Sequence, residues 1–86
     1  MFYVYVLKSP KADTVYIGYS GDLKQRIKDH QAGALHKGWM LVYYEAYLDE
    51  TDARTRERML KQYGASWGHL KARIENSLLR AKERAG

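Results

Sequence analysis

The sequence predicts an α+β fold in which a three-stranded antiparallel sheet is flanked by helices, in the order β-β-α-β-α-α. Two runs rich in aromatic and β-branched residues lie close together near the start, and a third follows residue 39. The remaining segments repeat apolar residues at helical spacing. A chain of 86 residues buries only about 60% of the surface that its unfolded form exposes, so we expect one small domain over residues 1–86.

The first two predicted strands form a hairpin. They cover residues 2–7 and 14–19, and the segment 9–13 between them has the composition of a turn. The third predicted strand covers residues 40–47. Gly18 lies inside the second strand, where a glycine is typical of a close approach by another backbone or a ligand.

The helices are predicted from their caps and their apolar spacing. Asp22 is the expected N-cap of the first helix, which ends before Gly33. Asp49 is expected to cap the second helix, which ends before Gly64, and Ser66 to cap the last one. In the last helix an apolar stripe is formed by Leu70, Ile74, Leu78 and Ala81.

Composition excludes several classes of function. The chain has no cysteine, which excludes disulfides, thiolate zinc sites, iron–sulfur clusters and cysteine nucleophiles. No apolar run approaches the roughly 20 residues of a membrane span, and the first residues lack the basic segment of a signal peptide. We therefore expect a cytoplasmic protein without membrane contact.

The positive charge is concentrated in the last third of the chain. Residues 1–53 carry six Lys and Arg against seven Asp and Glu, whereas residues 54–86 carry nine against three. Such a basic segment suits a polyanion, most simply nucleic acid, although a solvated helix surface explains it equally well.

Two polar residues of the first helix stand at positions where apolar ones are expected. Leu23, Arg26, Ile27 and His30 are spaced i, i+3, i+4 and i+7, which places them on one face turned toward the sheet. There Arg26 and His30 would present two donors to an anion. A structural pair, with Arg26 over a tyrosine ring or bonded to backbone carbonyls, is an equally good interpretation.

The second helix contains a carboxylate in the same kind of position. Glu57 lies between Ala53 and Leu60 on one stripe, so it either pairs with a buried cation or holds a metal ion. A single Glu suffices only for an ion such as Mg²⁺, which keeps most of its waters and takes phosphate oxygens from a substrate.

Tyrosines share faces of the predicted hairpin. Alternation places Tyr3, Tyr5 and Leu7 on one face of the first strand, and Tyr16 shares a face with Gly18 in the second. A phenol near a metal or a cation loses its proton more easily and can act as a base. Packing is the more ordinary role for each tyrosine alone.

These segments together resemble the GIY-YIG nuclease domain. Tyr3-Val4-Tyr5 stands at the first signature tripeptide and Tyr16-Ile17-Gly18 at the second. Residues 19–30 are similar to the helix that carries an Arg and a His, and residues 54–61 to the segment with the metal-binding Glu. The resemblance extends to about Leu79 and is strongest to the small stand-alone bacterial members.

The resemblance implies metal-dependent hydrolysis of DNA phosphodiester bonds. The function we expect is an endonuclease of low sequence specificity, directed to structured or damaged DNA. In this sequence Glu57 would hold a single Mg²⁺ or Mn²⁺, Arg26 would bind the scissile phosphate, and His30 would hydrogen-bond within the network. Tyr5 or Tyr16 would help to deprotonate the attacking water, with the other positioning phosphate or water. The resemblance does not choose between them.

The sequence departs from the family at two places. Tyr3 stands where Gly is usual, and residues 33–41 form a shorter loop than the family's loop with Lys, Arg and Thr. The shorter loop puts in question the phosphate contacts that the family's loop would supply beside the site. His36 and Lys37 could replace them in part, but we expect both to be ordinary loop residues.

Basic side chains outside the signature residues are expected to bind phosphates, so that affinity falls steeply with salt. These are Lys24, Arg54, Arg58, Lys61, Lys71 and Arg73. DNA is favoured over RNA, and a monomer or a weak homodimer fits the sequence. Two other functions stay open: a nucleic-acid-binding module with weak or no turnover, and a protein-interaction domain that uses exposed tyrosines and the last helix.

Overall fold

The computed structural model describes residues 1–85 and has the predicted α+β architecture. Its elements in chain order are β1 (Phe2–Lys8), β2 (Val15–Ser20), α1 (Leu23–Ala32), β3 (Met40–Tyr47), α2 (Glu50–Gln62), α3 (Gly64–Arg73) and α4 (Glu75–Ala85). The order of strands and helices is confirmed, with the difference that the last predicted helix is divided into two. Within the described residues, no helix combines the length and the apolar surface needed to cross a membrane.

The first strand is the centre of the sheet. The strands are arranged β2-β1-β3 and both pairs are antiparallel. Tyr5 lies opposite Gly18 on β2 and opposite Tyr44 on β3, so these three residues form a row on one face. A bulge on β3 adds one residue, Val42, between the partners of Val6 and Leu7.

The two faces of the sheet are covered differently. Three helices, α2, α3 and α4, pack on one face and form the hydrophobic core with it. The buried residues of this core are Val4, Val6, Ile17, Ala53, Leu60, Leu70 and Ile74. The opposite face carries Tyr5 and is approached by α1, which has no buried residue. Part of that face therefore stays open to solvent, and the predicted site residues gather there.

The caps of the first two helices are confirmed. The Asp22 carboxylate accepts a hydrogen bond from the Gln25 backbone N–H at 3.1 Å, and α1 ends at Gly33. Asp49 accepts from the backbone N–H groups of Thr51 at 2.7 Å and Asp52 at 3.4 Å. These contacts satisfy backbone donors that the first turn of a helix leaves free.

The sequence prediction was wrong about the start and the continuity of the last helix. Gly64 does not separate two helices by a loop but is the first residue of α3, and Ser66 is not its cap. Tyr63 occupies the cap position, and its carbonyl accepts from the Ser66 and Trp67 backbone N–H groups. Ile74 interrupts the predicted helix with φ −107° and ψ 24°. Its burial in the core outweighs the local preference for a continuous helix.

Candidate active site on the open face of the sheet

Tyr5, Tyr16 and His30 form the centre of the site. The Tyr5 hydroxyl lies 2.7 Å from His30 Nε2, although 25 residues separate them in the sequence. The ring centroids of Tyr5 and Tyr16 are 6.2 Å apart, and those of Tyr16 and His30 are 5.1 Å apart. The hairpin register places both tyrosines on the face that α1 approaches, which brings His30 between them.

Glu57 and Arg26 lie at the edge of this cluster. The half-buried carboxylate of Glu57 forms an ion pair with Lys61 at 3.1 Å, and Lys61 Nζ lies 5.7 Å from the centre of the Tyr16 ring. Both lie close enough to Tyr5 to influence its pKa, which Arg26 lowers and Glu57 raises. The five residues predicted as catalytic therefore line one site built from four elements: β1, β2, α1 and α2.

Two expectations about these side chains need correction. Arg26 is exposed rather than half-buried, and its Nη1 lies 3.5 Å from the Tyr19 carbonyl oxygen, at the limit of a hydrogen bond. The cation beside Glu57 is Lys61, whose side chain is half-exposed rather than buried. Both cationic groups can therefore move toward a ligand at small cost, because neither is fixed by burial.

Gly18 is required by a close approach, but the neighbour is a side chain rather than a backbone or a ligand. A Cβ atom at this position would overlap Cζ and Oη of Tyr5. Tyr5 is fully buried, so its ring is held between the Gly18 backbone and His30.

The electrostatic environment keeps Tyr5 protonated and His30 neutral near pH 7. Burial raises the pKa of Tyr5 to about 12, with the neighbouring Tyr16 adding to the shift and Arg26 opposing it. Burial also lowers the pKa of His30, and His36 and Arg26 lower it further. A phenol is a stronger acid than a neutral imidazole N–H, so Tyr5 donates its hydrogen bond to His30 Nε2.

His36 belongs to the site, contrary to the expectation that it is an ordinary loop residue. Its Nδ1 lies 3.0 Å from Nδ1 of His30, and its ring centroid lies 4.6 Å from that of Tyr16 and 4.9 Å from that of Trp39. Because Tyr5 donates to Nε2 of His30, His30 Nδ1–H must donate to His36 Nδ1. The only signal in the sequence was a histidine in an unusually short loop. Lys37, by contrast, is an exposed turn residue.

The six basic residues predicted to bind phosphates do not form one surface. All six are exposed, but Lys71 and Arg73 belong to α3, on the helix-covered side of the sheet. Arg54 stacks over the Tyr19 ring at 4.2 Å and pairs with Glu50 at 3.3 Å. Of the six, Lys24 belongs to α1 and Arg54, Arg58 and Lys61 belong to α2, the two helices that contribute residues to the site.

A second carboxylate network was missed by the sequence analysis. Glu45 lies opposite Val4 on the helix-covered face and accepts hydrogen bonds from the Tyr43 and Tyr47 hydroxyls and from Arg56 Nε at 2.7 Å. Burial alone would raise the pKa of Glu45, but these hydrogen bonds outweigh it and hold the pKa below its ordinary value. The alternation of Tyr43, Glu45 and Tyr47 along β3 could have indicated that the three side chains share a face. The sequence does not indicate that Arg56 of α2 is the partner of Glu45.

The donor set fits a metal ion that takes few protein ligands. Within residues 1–85, no group of three or more His, Asp or Glu side chains is arranged to hold a metal ion. Glu57 offers a single carboxylate, and Mg²⁺ or Mn²⁺ accepts such a site when water and substrate phosphates complete its shell.

This α+β fold brings two tyrosines, a histidine and an arginine from the open face close to a glutamate of α2 at its edge, the residue types that the resemblance to a GIY-YIG domain implies. The family model of that domain matches residues 1–71, which include every residue of the site. The UPF0213 protein CPE1444 of Clostridium perfringens (strain 13 / Type A) is 35% identical over 68 residues, covering 72% of each chain. No solved structure matches the chain. The chain belongs to the GIY-YIG family, whose domains are generally nucleases, and its substrate class is nucleic acid.

Proposed function

We propose that residues 1–86 act as one divalent-metal-dependent endonuclease domain, which hydrolyses DNA phosphodiester bonds with low sequence specificity. The observation that supports this most is the convergence of Tyr5, Tyr16, Arg26, His30 and Glu57 from four elements into one open site.

Glu57 and Arg26 divide the handling of the phosphate charge. Glu57 would hold a single Mg²⁺ or Mn²⁺, which when bound supplies positive charge at the phosphate and activates water. Arg26 carries an exposed guanidinium one helical turn before His30. It binds the scissile phosphate and stabilises the charge that develops on its oxygens during hydrolysis.

We assign the contact with the attacking water to Tyr16 rather than to Tyr5. Tyr5 is fully buried, donates to His30 and has a pKa raised to about 12, so it keeps its proton and cannot reach solvent. Tyr16 is only half-buried and lies on the side of the site where Lys61 and Glu57 meet. Tyr16 orients the attacking water, while Tyr5 positions Tyr16 and His30.

His36 extends the hydrogen-bond chain to the protein surface. The chain runs from Tyr5 through His30 to His36, which belongs to the loop before β3. It fixes the His30 tautomer and therefore the orientation of Tyr5, which makes His36 a positioning residue. His36→Ala should reduce cleavage and alter its pH profile, whereas His69→Ala on exposed α3 should do neither.

DNA is the proposed substrate, in a structure- or repair-directed role. Phosphates would contact the cations beside the site, namely Lys24, Arg54, Arg58 and Lys61. Lys71 and Arg73 would contribute only if DNA extends around the molecule. Contacts to phosphate rather than to base edges give low sequence specificity. We place this activity in the bacterial cytoplasm as part of the same proposal.

One observation favours the alternative of a binding module with weak turnover. Lys61 pairs with Glu57 at 3.1 Å and so occupies the carboxylate that a metal ion would need. A metal ion has to displace this ammonium before it binds.

A nuclease assay tests the proposal. Purified protein is incubated at low salt with single-stranded, duplex, nicked and branched DNA, in Mg²⁺, Mn²⁺ or EDTA. Cleavage should require a metal ion and should fall by about 100-fold or more in Arg26→Ala, Glu57→Gln and Tyr16→Phe. The matched changes Arg80→Ala, Glu83→Gln and Tyr63→Phe, all at exposed positions, should leave it unchanged.

Two results would reject the proposed activity. If EDTA does not reduce cleavage, the metal-dependent assignment is wrong. If no substrate is cut while wild type and Glu57→Gln bind DNA equally well, the chain is a nucleic-acid-binding module that retains the nuclease fold.

A further inference from the structure

A groove runs between α1 and β3 on the open face of the sheet, and His30 is not among the residues that line it. We call it the α1–β3 groove; it is lined by Tyr3, Tyr44, Ile27, Leu41, Lys24 and Lys28 among others. Its volume is about 610 Å³, within the range of pockets that hold small organic ligands. None of its aromatic residues has a role in the proposed reaction.

The groove adjoins the candidate active site. Tyr44 is the direct cross-strand partner of Tyr5 and lies on the same face. The helix α1 contributes to both regions, because Arg26 lies near Tyr5 and the next residue, Ile27, lines the groove. A chain of nucleotides could therefore occupy both regions at once.

Tyr44 presents an open aromatic surface at this place. Tyr44 is 53% exposed. It is held by Tyr3 in an edge-to-face contact with centroids 6.1 Å apart. Tyr3 therefore supports one side of the ring while more than half of the residue faces solvent, so a second ring can stack on the exposed side.

The rim of the groove is positively charged. Lys24 and Lys28 are one turn apart on α1, and both are exposed. In the part of the chain that the structure describes, neither lysine lies within ion-pair distance of a carboxylate. The nearby Asp22 carboxylate already caps α1. An aromatic wall beside unpaired lysines is complementary to a base with its adjacent phosphates.

We propose that the α1–β3 groove binds one unpaired nucleobase of the DNA, stacked on Tyr44, with the flanking phosphates held by Lys24 and Lys28. This inference rests on the proposed function for its substrate and makes that substrate DNA with an unpaired nucleotide near the cleavage site. Stacking on an aromatic ring is tolerant of sequence, so the groove gives preference for structure and not for sequence.

The test compares two fluorescent DNA hairpins by anisotropy in EDTA, where no metal-dependent cleavage occurs. One carries a single unpaired base in its stem, and the other carries an abasic nucleotide at the same position. Wild type should bind the first about fivefold more tightly or better, because base–aromatic stacking has about that effect. Tyr44→Ala should bind the two hairpins equally, and Tyr44→Phe should keep the preference.

The controls separate stacking from general phosphate binding. Tyr63→Ala removes a similarly exposed tyrosine, 58% accessible and located between α2 and α3, and should leave the preference unchanged. Lys24→Gln and Lys28→Gln should weaken binding to both hairpins by the same factor. Each change should also reduce the steepness of log affinity against log salt by about 0.9. Thermal melts confirm that each variant is folded.

Several outcomes would overturn the inference. If wild type binds both hairpins equally, or if Tyr44→Ala keeps the preference, the proposed stacking site is wrong. Neither result bears on the nuclease activity, which the nuclease assay tests separately. If wild type cleaves no substrate in the nuclease assay but shows the Tyr44-dependent binding preference, the stacking site in the groove is supported and the proposed nuclease activity is rejected. If wild type is a dimer that Tyr44→Ala dissociates, the groove is a contact between two copies of the chain.

Discussion

Replacing Gly18 by alanine tests how the sheet positions the candidate site. The new methyl group would overlap Cζ and Oη of Tyr5. Tyr5 is fully buried, so its ring has no open space into which it can retreat. A shift of the ring away from Gly18 would disturb the 2.7 Å hydrogen bond between the Tyr5 hydroxyl and His30.

The expected cost follows from these two effects. Inserting a methyl group into a packed core costs about 1–3 kcal/mol, and loss of the Tyr5–His30 hydrogen bond costs about 1 kcal/mol more. The free energy of unfolding should fall by about 2–4 kcal/mol. For a chain of this length, that corresponds to a decrease of roughly 10–25 °C in Tm.

Thermal and urea denaturation, followed by circular dichroism, measure the effect. Gly68→Ala is the matched control, because a Cβ there meets no heavy atom within 4 Å and lies in the helix α3. It should stabilise the protein by about 0.5–1 kcal/mol, since alanine is the better helix former. In Gly18→Ala combined with Tyr5→Phe, removal of one overlapping atom should recover part of the loss.

The reasoning fails if Gly18→Ala unfolds at the same temperature as wild type. It also fails if Gly18→Ala and Tyr5→Phe are additive, because the predicted overlap then does not exist. Loss of cleavage without loss of stability would mean that Gly18 acts on the reaction and not on packing.

Three further predictions concern charged and titratable groups. Glu45→Gln should lower stability by about 2 kcal/mol at pH 7. In the folded protein the pKa of Glu45 lies below its ordinary value of 4.5. The stability difference between wild type and Glu45→Gln, measured by urea denaturation at several pH values, should therefore disappear as the pH falls below 4.5. A difference that does not change with pH would refute the assignment. Burial raises the pKa of Tyr5 from 10.0 to about 12. Its stabilising contribution is therefore complete below pH 10 and lost toward pH 12, so wild type should lose about 2–3 kcal/mol more than Tyr5→Phe over this range; parallel losses would contradict this. Lys61→Gln frees the Glu57 carboxylate and should raise Mn²⁺ affinity about two- to fivefold in calorimetry, whereas Lys82→Gln should not; equal affinities would mean that the ion pair does not compete with the metal.

The elements that the sequence predicts correctly are those with strong local signals. Strands follow from runs of aromatic and β-branched residues, and the helix ends follow from Asp22, Gly33 and Asp49, whose side chains or conformations act within a few residues. Ser66 is a good local cap as well, but Tyr63 starts the helix earlier because α2 and α3 are separated by one residue. Ile74 carries no breaking signal, and tertiary packing decides its conformation.

The candidate site was predictable where polar residues interrupt an apolar period. Arg26, His30 and Glu57 are candidates on this ground alone. The assignment of Tyr5 and Tyr16 to the same site depended on the resemblance to the family. His36 and the partner of Glu45 were not predictable, because their contacts join separate elements through a loop conformation and a strand register. A single sequence contains no direct signal for either.

The position of α1 explains why Tyr5 and Tyr16 should have different roles. The helix buries no residue, and the contact of Arg26 with the Tyr19 carbonyl is at the limit of a hydrogen bond. The bond from Tyr5 to His30 at 2.7 Å is therefore a principal link between α1 and the sheet. If Tyr5 had to ionise in each reaction cycle, this link would lose its donor whenever the phosphate needs Arg26 in place. A tyrosine that holds the helix is better kept protonated, which leaves Tyr16 as the residue that acts on water.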